Sequence, residues 1–192
     1  MARTGRRPGG VDTRAGILAA ARFEFGAKGY HQATIRGIAA GAGVDPALVH
    51  HYFGNKEDLF AASIDLPLRP TEIAETLLAD GLESAGRNIT NLFFTVWENP
   101  ETRDPIMALL RGAFSTEQGA AVLREFFGTA MLRRVAPQIG GPDAELRASL
   151  AMSHLIGVAV LRYVVGFPSL TTVPIEQLVN TLAPRIQAYF TD

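Results

Sequence analysis

The sequence contains no cysteine, a single tryptophan and only 19% charged residues. Without thiols, a disulfide scaffold, a cysteine nucleophile and a cysteine-rich zinc site are all excluded. Long apolar runs are also scarce. The most apolar stretch, Leu155 to Leu161, is bounded by His154 and Arg162, short of the roughly 18 to 20 residues that span a bilayer. The basic start, Met1 to Gly10, runs into Val11-Asp-Thr-Arg14 without the apolar segment of a signal peptide. A soluble, cytoplasmic protein is expected. A P-loop, a nucleophile elbow and an HExxH motif are missing, and the carboxylates are scattered over helix surfaces. No enzymatic activity, cofactor or metal is therefore expected.

What is present is a chain of 192 residues, 47% hydrophobic, long enough for one domain or for a small one joined to a larger one. Its net charge of −1 hides an asymmetry. Residues 1 to 60 carry eight basic and five acidic side chains and three of the four histidines, whereas the remainder has ten basic against fourteen acidic. A basic first segment beside an acidic body points to a polyanionic partner for the first segment alone.

Helical signals run through the whole chain, and no strand pattern competes. Residues 12 to 28 place Ile17, Leu18, Ala21 and Phe25 at helical spacing and end in Lys28-Gly29. Thr34 is placed to cap a short second helix, which Gly41-Ala-Gly43 breaks. Asp45-Pro46 restarts the chain as an N-cap followed by a proline at the first helical position, and this third helix reaches about Phe53. Gly54-Asn55 is a turn, and Asn55 can cap a fourth helix from Lys56. Further helices are expected near 71–79, 81–98, 103–113, 116–136, 142–166 and 174–190.

Residues 34 to 53 fit a helix-turn-helix. Two short helices that cross steeply need a small residue at the contact, Ala39, and a turn residue free to adopt positive φ, Gly43. Leu48, Val49 and Phe53 then face inward, leaving Pro46, Ala47, His50 and His51 on the outer face of the third helix. Such a face can enter a major groove. Neighbouring histidines project about 100° apart on a helix, an arrangement that disfavours a metal site.

Ile17 to Ala21, Phe25, Lys28-Gly-Tyr30, Thr34 to Val44 and Leu48-Val-His-His-Tyr-Phe-Gly-Asn-Lys-Glu-Asp-Leu59 together closely resemble the tetracycline-repressor (TetR) family of bacterial regulators. The resemblance covers about residues 12 to 64. It implies an all-α protein, with a helix-turn-helix DNA-binding head at 1–64 and a helical ligand-binding and dimerisation body at 66–192. Thr34 and Arg36 then hold phosphate from the first turn of the second helix, and Arg36 is also within reach of a guanine edge. Pro46, Ala47 and His50 fall where the family reads bases, while His51, Tyr52 and Lys56 are expected on phosphates. Val49 and His50 depart from relatives that carry tyrosine there, leaving the operator sequence open. Arg3, Arg6 and Arg7 are either a solvated tail or an arm reaching a groove.

In the body, Phe93, Trp97, Met107, Leu110, Phe114, Phe127 and Met131 are candidates to wall a cavity for a small hydrophobic effector, with Trp97 Nε1, Thr95 or His154 as the orienting polar group. Core packing is the plainer reading of each one taken singly. Leu146, Leu150, Ser153, Gly157, Val160, Leu161 and Val164 stripe one late helix, and Ile175, Leu178, Val179, Leu182 and Ile186 stripe the last. Both stripes are expected in a homodimer, whose two heads read a palindromic site. The functional expectation is a ligand-responsive repressor; the alternative is a helical small-molecule binder or enzyme with a disused DNA-binding-like head.

Overall fold

The computed structural model describes residues 11–66 and 69–191, with side chains from residue 13 except those of residues 129–131. Every regular element among the described residues is helical. The chain divides into two compact units, Met1–Leu66 and Pro67–Asp192.

The first unit is built from α1 (Val11–Gln32), α2 (Ile35–Ala42), α3 (Pro46–Phe53) and α4 (Lys56–Ser63). The backbone of α1 leaves helical geometry at Gly29, so its last turn sets off in a new direction. Ile17, Ala21, Ile38, Val49 and Leu59 are almost completely buried, and they fill the space between the four helices. Phe25, Tyr30 and Phe60 form an aromatic triad, with ring centroids 5.0 to 5.9 Å apart. Arg22 ties α1 to the end of α4: its Nε donates to the Ser63 carbonyl at 2.8 Å, and its guanidinium pairs with Asp65 at 2.7 Å.

The second unit comprises α5 (Pro70–Leu78), a 3₁₀ turn (Leu82–Ser84), α6 (Ala85–Glu98), α7 (Pro100–Ser115), α8 (Glu117–Glu125), α9 (Leu132–Ile139), α10 (Ala144–Ala159), α11 (Pro168–Thr171) and α12 (Ile175–Thr191). The central packing joins α6 and α12. Phe94 lies against Leu178, Val179, Leu182 and Ala183, and Gly86 brings the two backbones close enough for its N–H to donate to Gln187 Oε1 at 2.8 Å. A second cluster unites Leu77, Val135, Ala148, Ala151, Leu155, Ile186 and Phe190.

Several sequence expectations need correction here. The helix expected from 103 starts at Pro100, because Asn99 accepts from the Glu101 N–H and caps it three residues earlier. The expected 116–136 and 142–166 helices each change hydrogen-bond register, to π geometry at Phe126–Met131 and Val160–Val165. The first runs on through Pro137 to Ile139, and the second stops at Gly166, which adopts φ 70. The connection before α12 holds the short helix α11. The α12 stripe does not stand free for a partner: Leu178, Val179, Leu182 and Ile186 are 0 to 8% exposed, buried within their own unit. The α10 stripe is open, with Leu146 60%, Leu150 41%, Leu161 42% and Val164 52% exposed. Finally, α10 and its π extension form one helix, Ala144–Val165, long and apolar enough by length and composition alone to cross a membrane.

Candidate nucleic-acid interface

Local chemistry fixes the two short helices of the first unit. Thr34 is extended, and its Oγ1 accepts from the Gly37 N–H at 2.9 Å, capping α2. Gly43 ends α2 in the left-handed region at φ 66, which a side-chain-bearing residue adopts only under strain. Its N–H bonds back to the carbonyls of Ala39 and Ala40. Asp45 Oδ1 then accepts from the Ala47 N–H at 2.7 Å and starts α3. Asp45 is thus used as a cap, which offsets its wrong sign for a phosphate-facing surface. Behind α2, the carboxylate of Glu24 is nearly buried and pairs with Lys28 at 2.6 Å.

These caps orient the outward surface. Val49 and Phe53 are buried and Leu48 half-buried, so the inner face of α3 is committed to the joint. Ala47, His50 and His51 are exposed, with Pro46 and Tyr52 at half exposure beside them. The His51 ring stands edge-on to Tyr52, with centroids 5.4 Å apart. His50 Nδ1 lies 2.8 Å from the Gly54 carbonyl. Thr34 and Arg36 are exposed in and before the first turn of α2. Lys56, in the first turn of α4, sits with Nζ 4.4 Å from the centroid of the Tyr30 ring and 3.5 Å from the His31 carbonyl, to which it donates.

Three neighbours of this surface escape a sequence reading. Tyr30 and His31 meet Lys56 across 25 residues of chain. Arg14 packs its guanidinium over the Phe53 ring at 5.2 Å, which brings a cation from the start of α1 to the end of α3. Only the Lys28-Gly-Tyr30 signature hinted at the first contact. Arg3, Arg6 and Arg7 lie outside the described residues.

In the second unit, Phe93, Trp97, Met107, Leu110 and Ala159 share one cluster, and Tyr163 stacks on Trp97 at 5.3 Å. Phe127 is half-buried against Phe126. The Met131 side chain lies outside the described residues. Phe114 is 79% exposed, so it does not wall this cluster. Leu110 is the last buried residue of α7, and one turn further on Phe114 has passed beyond the packed region. His154 is half-buried and edge-on to Tyr189. The polar residue that sequence reasoning missed is Tyr163: its hydroxyl donates to Glu98 Oε1 at 2.7 Å. Burial, reinforced by that carboxylate, raises its pKa well above the ordinary phenol value. Arg162 beside it bonds the carbonyls of Leu170 and Val173 and pairs with Glu98 at 3.5 Å.

Comparison with known proteins covers most of the chain. Residues 17–63 match the family model for bacterial regulatory proteins, tetR family, and residues 83–190 match that for the tetracyclin repressor-like, C-terminal domain. The HTH-type transcriptional regulator BetI of Rhizobium meliloti is 47% identical over 51 residues, which is 27% of this chain and 25% of that protein. The HTH-type transcriptional repressor AcnR of Corynebacterium efficiens is 34% identical over 101 residues, or 53% and 48% of the two chains. The matches therefore span at most about half the length of these curated relatives. A TetR-family regulator of known structure from Streptomyces coelicolor is 32% identical, over 98% of this chain and 99% of that one, with a TM-score of 0.46.

Proposed function

The chain belongs to the tetracycline-repressor family of bacterial transcriptional regulators, and on that premise we propose that it is a cytoplasmic, ligand-responsive repressor that binds a palindromic operator as a homodimer. The observation that carries this reading is the outer face of the capped helix-turn-helix. Ala47, His50 and His51 are exposed on α3, and Arg36 and Lys56 stand at the starts of the two flanking helices. Arg36, Lys56 and His51 supply phosphate contacts with Thr34 and Tyr52, while Pro46, Ala47 and His50 face bases. The open stripe of α10 supports pairing of two copies. The Phe93–Trp97 cluster supports an apolar effector, which represses binding only if it favours the DNA-incompetent state. Selection of bound duplexes from a random pool tests the proposal: a palindromic site with salt-sensitive binding is expected. Recovery of no preferred duplex, or of binding indifferent to salt, refutes it.

A further inference from the structure

The end of α3 contains a backbone device that acts on one candidate base-reading side chain. Gly54 adopts φ 75 and ψ −70, and the Asn55 N–H donates to the Phe53 carbonyl at 2.9 Å. Together these define a three-residue γ-turn of the rarer hand, a conformation strained for any residue with a side chain. A Cβ at Gly54 would meet nothing closer than Asp58 Oδ2 at 3.8 Å, so the requirement for glycine comes from the backbone angles and not from lack of room. The turn points the Gly54 carbonyl back along α3, where it meets His50 Nδ1 at 2.8 Å. The Gly54 N–H in turn donates to the His50 carbonyl at 2.8 Å.

A carbonyl oxygen can only accept, so Nδ1 of His50 carries the hydrogen. In the neutral ring the other nitrogen, Nε2, is then bare and can only accept. Its lone pair leaves the ring on the side away from Gly54, and the side chain is exposed on the same helix face as Ala47.

We propose that Gly54 fixes His50 as a one-sided hydrogen-bond acceptor, and that His50 therefore selects a base presenting an exocyclic amino group in the major groove, adenine N6 or cytosine N4. The inference rests on the reading of α3 as the groove-entering helix. Guanine offers two acceptors there, N7 and O6, and neither can bond a bare Nε2. Arginine and lysine can only donate, and asparagine and glutamine do both, so a histidine in this tautomer reads what the usual donor side chains cannot.

The test uses the full chain at about pH 8. In the DNA-free protein, long-range proton–nitrogen NMR should give His50 a protonated Nδ1 and a bare Nε2. Gly54→Ala should mix the two tautomers. The contacted base pair is the one whose preference His50→Phe abolishes in duplex selection. At that pair, replacing adenine by unsubstituted purine, or cytosine by 2-pyrimidinone, removes the amino group and should weaken binding about tenfold or more. Replacing the purine by its 7-deaza analogue should change little, and His50→Phe should bind parent and amino-less duplexes alike. An Nε2–H tautomer, or equal binding of the parent chain to both duplexes, overturns the proposal. If no duplex is bound in a salt-sensitive way, the operator reading falls with it, whereas intact operator binding without a His50 effect removes this inference alone.

Discussion

Lys56→Met separates the packing contact that the structure gives this side chain from the phosphate contact proposed for it. The ammonium lies 4.4 Å from the centre of the Tyr30 ring and 3.5 Å from the His31 carbonyl. A cation over an aromatic face at a partly exposed site contributes about 0.5 to 1 kcal/mol, and a hydrogen bond at the long end of the range adds little. Methionine keeps an apolar stem over the ring, so folding stability should fall by less than about 1 kcal/mol. The effect on DNA is of another kind. Each lost phosphate contact flattens the salt dependence by about 0.9, and a two-fold dimer loses two, or about 1.8. Between about 50 and 200 mM salt, the gap between parent and variant affinity should then close about twelvefold. Fluorescence anisotropy with the selected operator and with a scrambled duplex measures both quantities. Because phosphates carry no sequence, the loss should be similar on the two duplexes. An unchanged slope, or a loss confined to the operator, would refute the assignment of Lys56 to the backbone.

Gly86→Ala places a methyl 2.6 Å from Gln187 N and 2.7 Å from the Ala183 carbonyl, backbone atoms that cannot swing aside. Urea unfolding should show a loss of about 1 to 3 kcal/mol, and an unchanged midpoint would mean that α6 and α12 are less closely packed. Leu150→Glu on the open face of α10 should give a monomer with an unchanged circular dichroism spectrum, and a persistent dimer by sedimentation would place the interface elsewhere. Tyr163 should stay a phenol when ordinary tyrosines ionise. Its folded pKa is raised, so its contribution to stability is complete below the unfolded value near 10 and is lost above it. Subtracting the tyrosinate titration of Tyr163→Phe from that of the parent measures this, and Glu98→Gln should bring the transition down.

The helical architecture was legible because its punctuation is local. Thr34, Asp45 and Asn55 each accept from an amide two or three residues on, and Gly43 takes the left-handed turn, so a short window of sequence contains both the signal and its cause. The candidate interface was legible to the same depth: which residues of α3 face out follows from helical period and the burial of Val49 and Phe53. What they touch does not. The meeting of Lys56 with Tyr30 and of Arg14 with Phe53 depends on how α1 crosses the later helices, a non-local outcome. The π segments were invisible for a different reason. One extra residue per turn shifts the hydrogen bonds yet leaves the apolar pattern of a largely apolar run almost unaltered. Phe114 misled because helical period assigns it the face of Leu110 but says nothing about where the packing against that face stops.

The long helix that starts at Ala144 illustrates how composition and burial must be read together. By length and hydropathy it passes as a membrane span. Its apolar residues nevertheless fall into two sets of different size. Ala148, Ala151, Leu155 and Ala159 face inward, where mostly small side chains let the helix lie close to its own unit. Leu146, Leu150, Leu161, Val164 and Val165 face outward, 41 to 60% exposed, with Ser153 and Gly157 between them. A face that meets only lipid has no need of small residues at its centre, whereas a second helix crossing there does, since small residues let backbones approach. The polar anchors agree. Arg147 bonds the Gly140 carbonyl and Arg162 the carbonyls of Leu170 and Val173, so both ends of the helix are fastened to connections of the same unit. Extracting the helix into a bilayer would break those bonds and leave two guanidinium groups, one near each end, to reach for the interface without their carbonyl partners. Covering the same face with its own copy breaks none of them, and each outward leucine then counts twice.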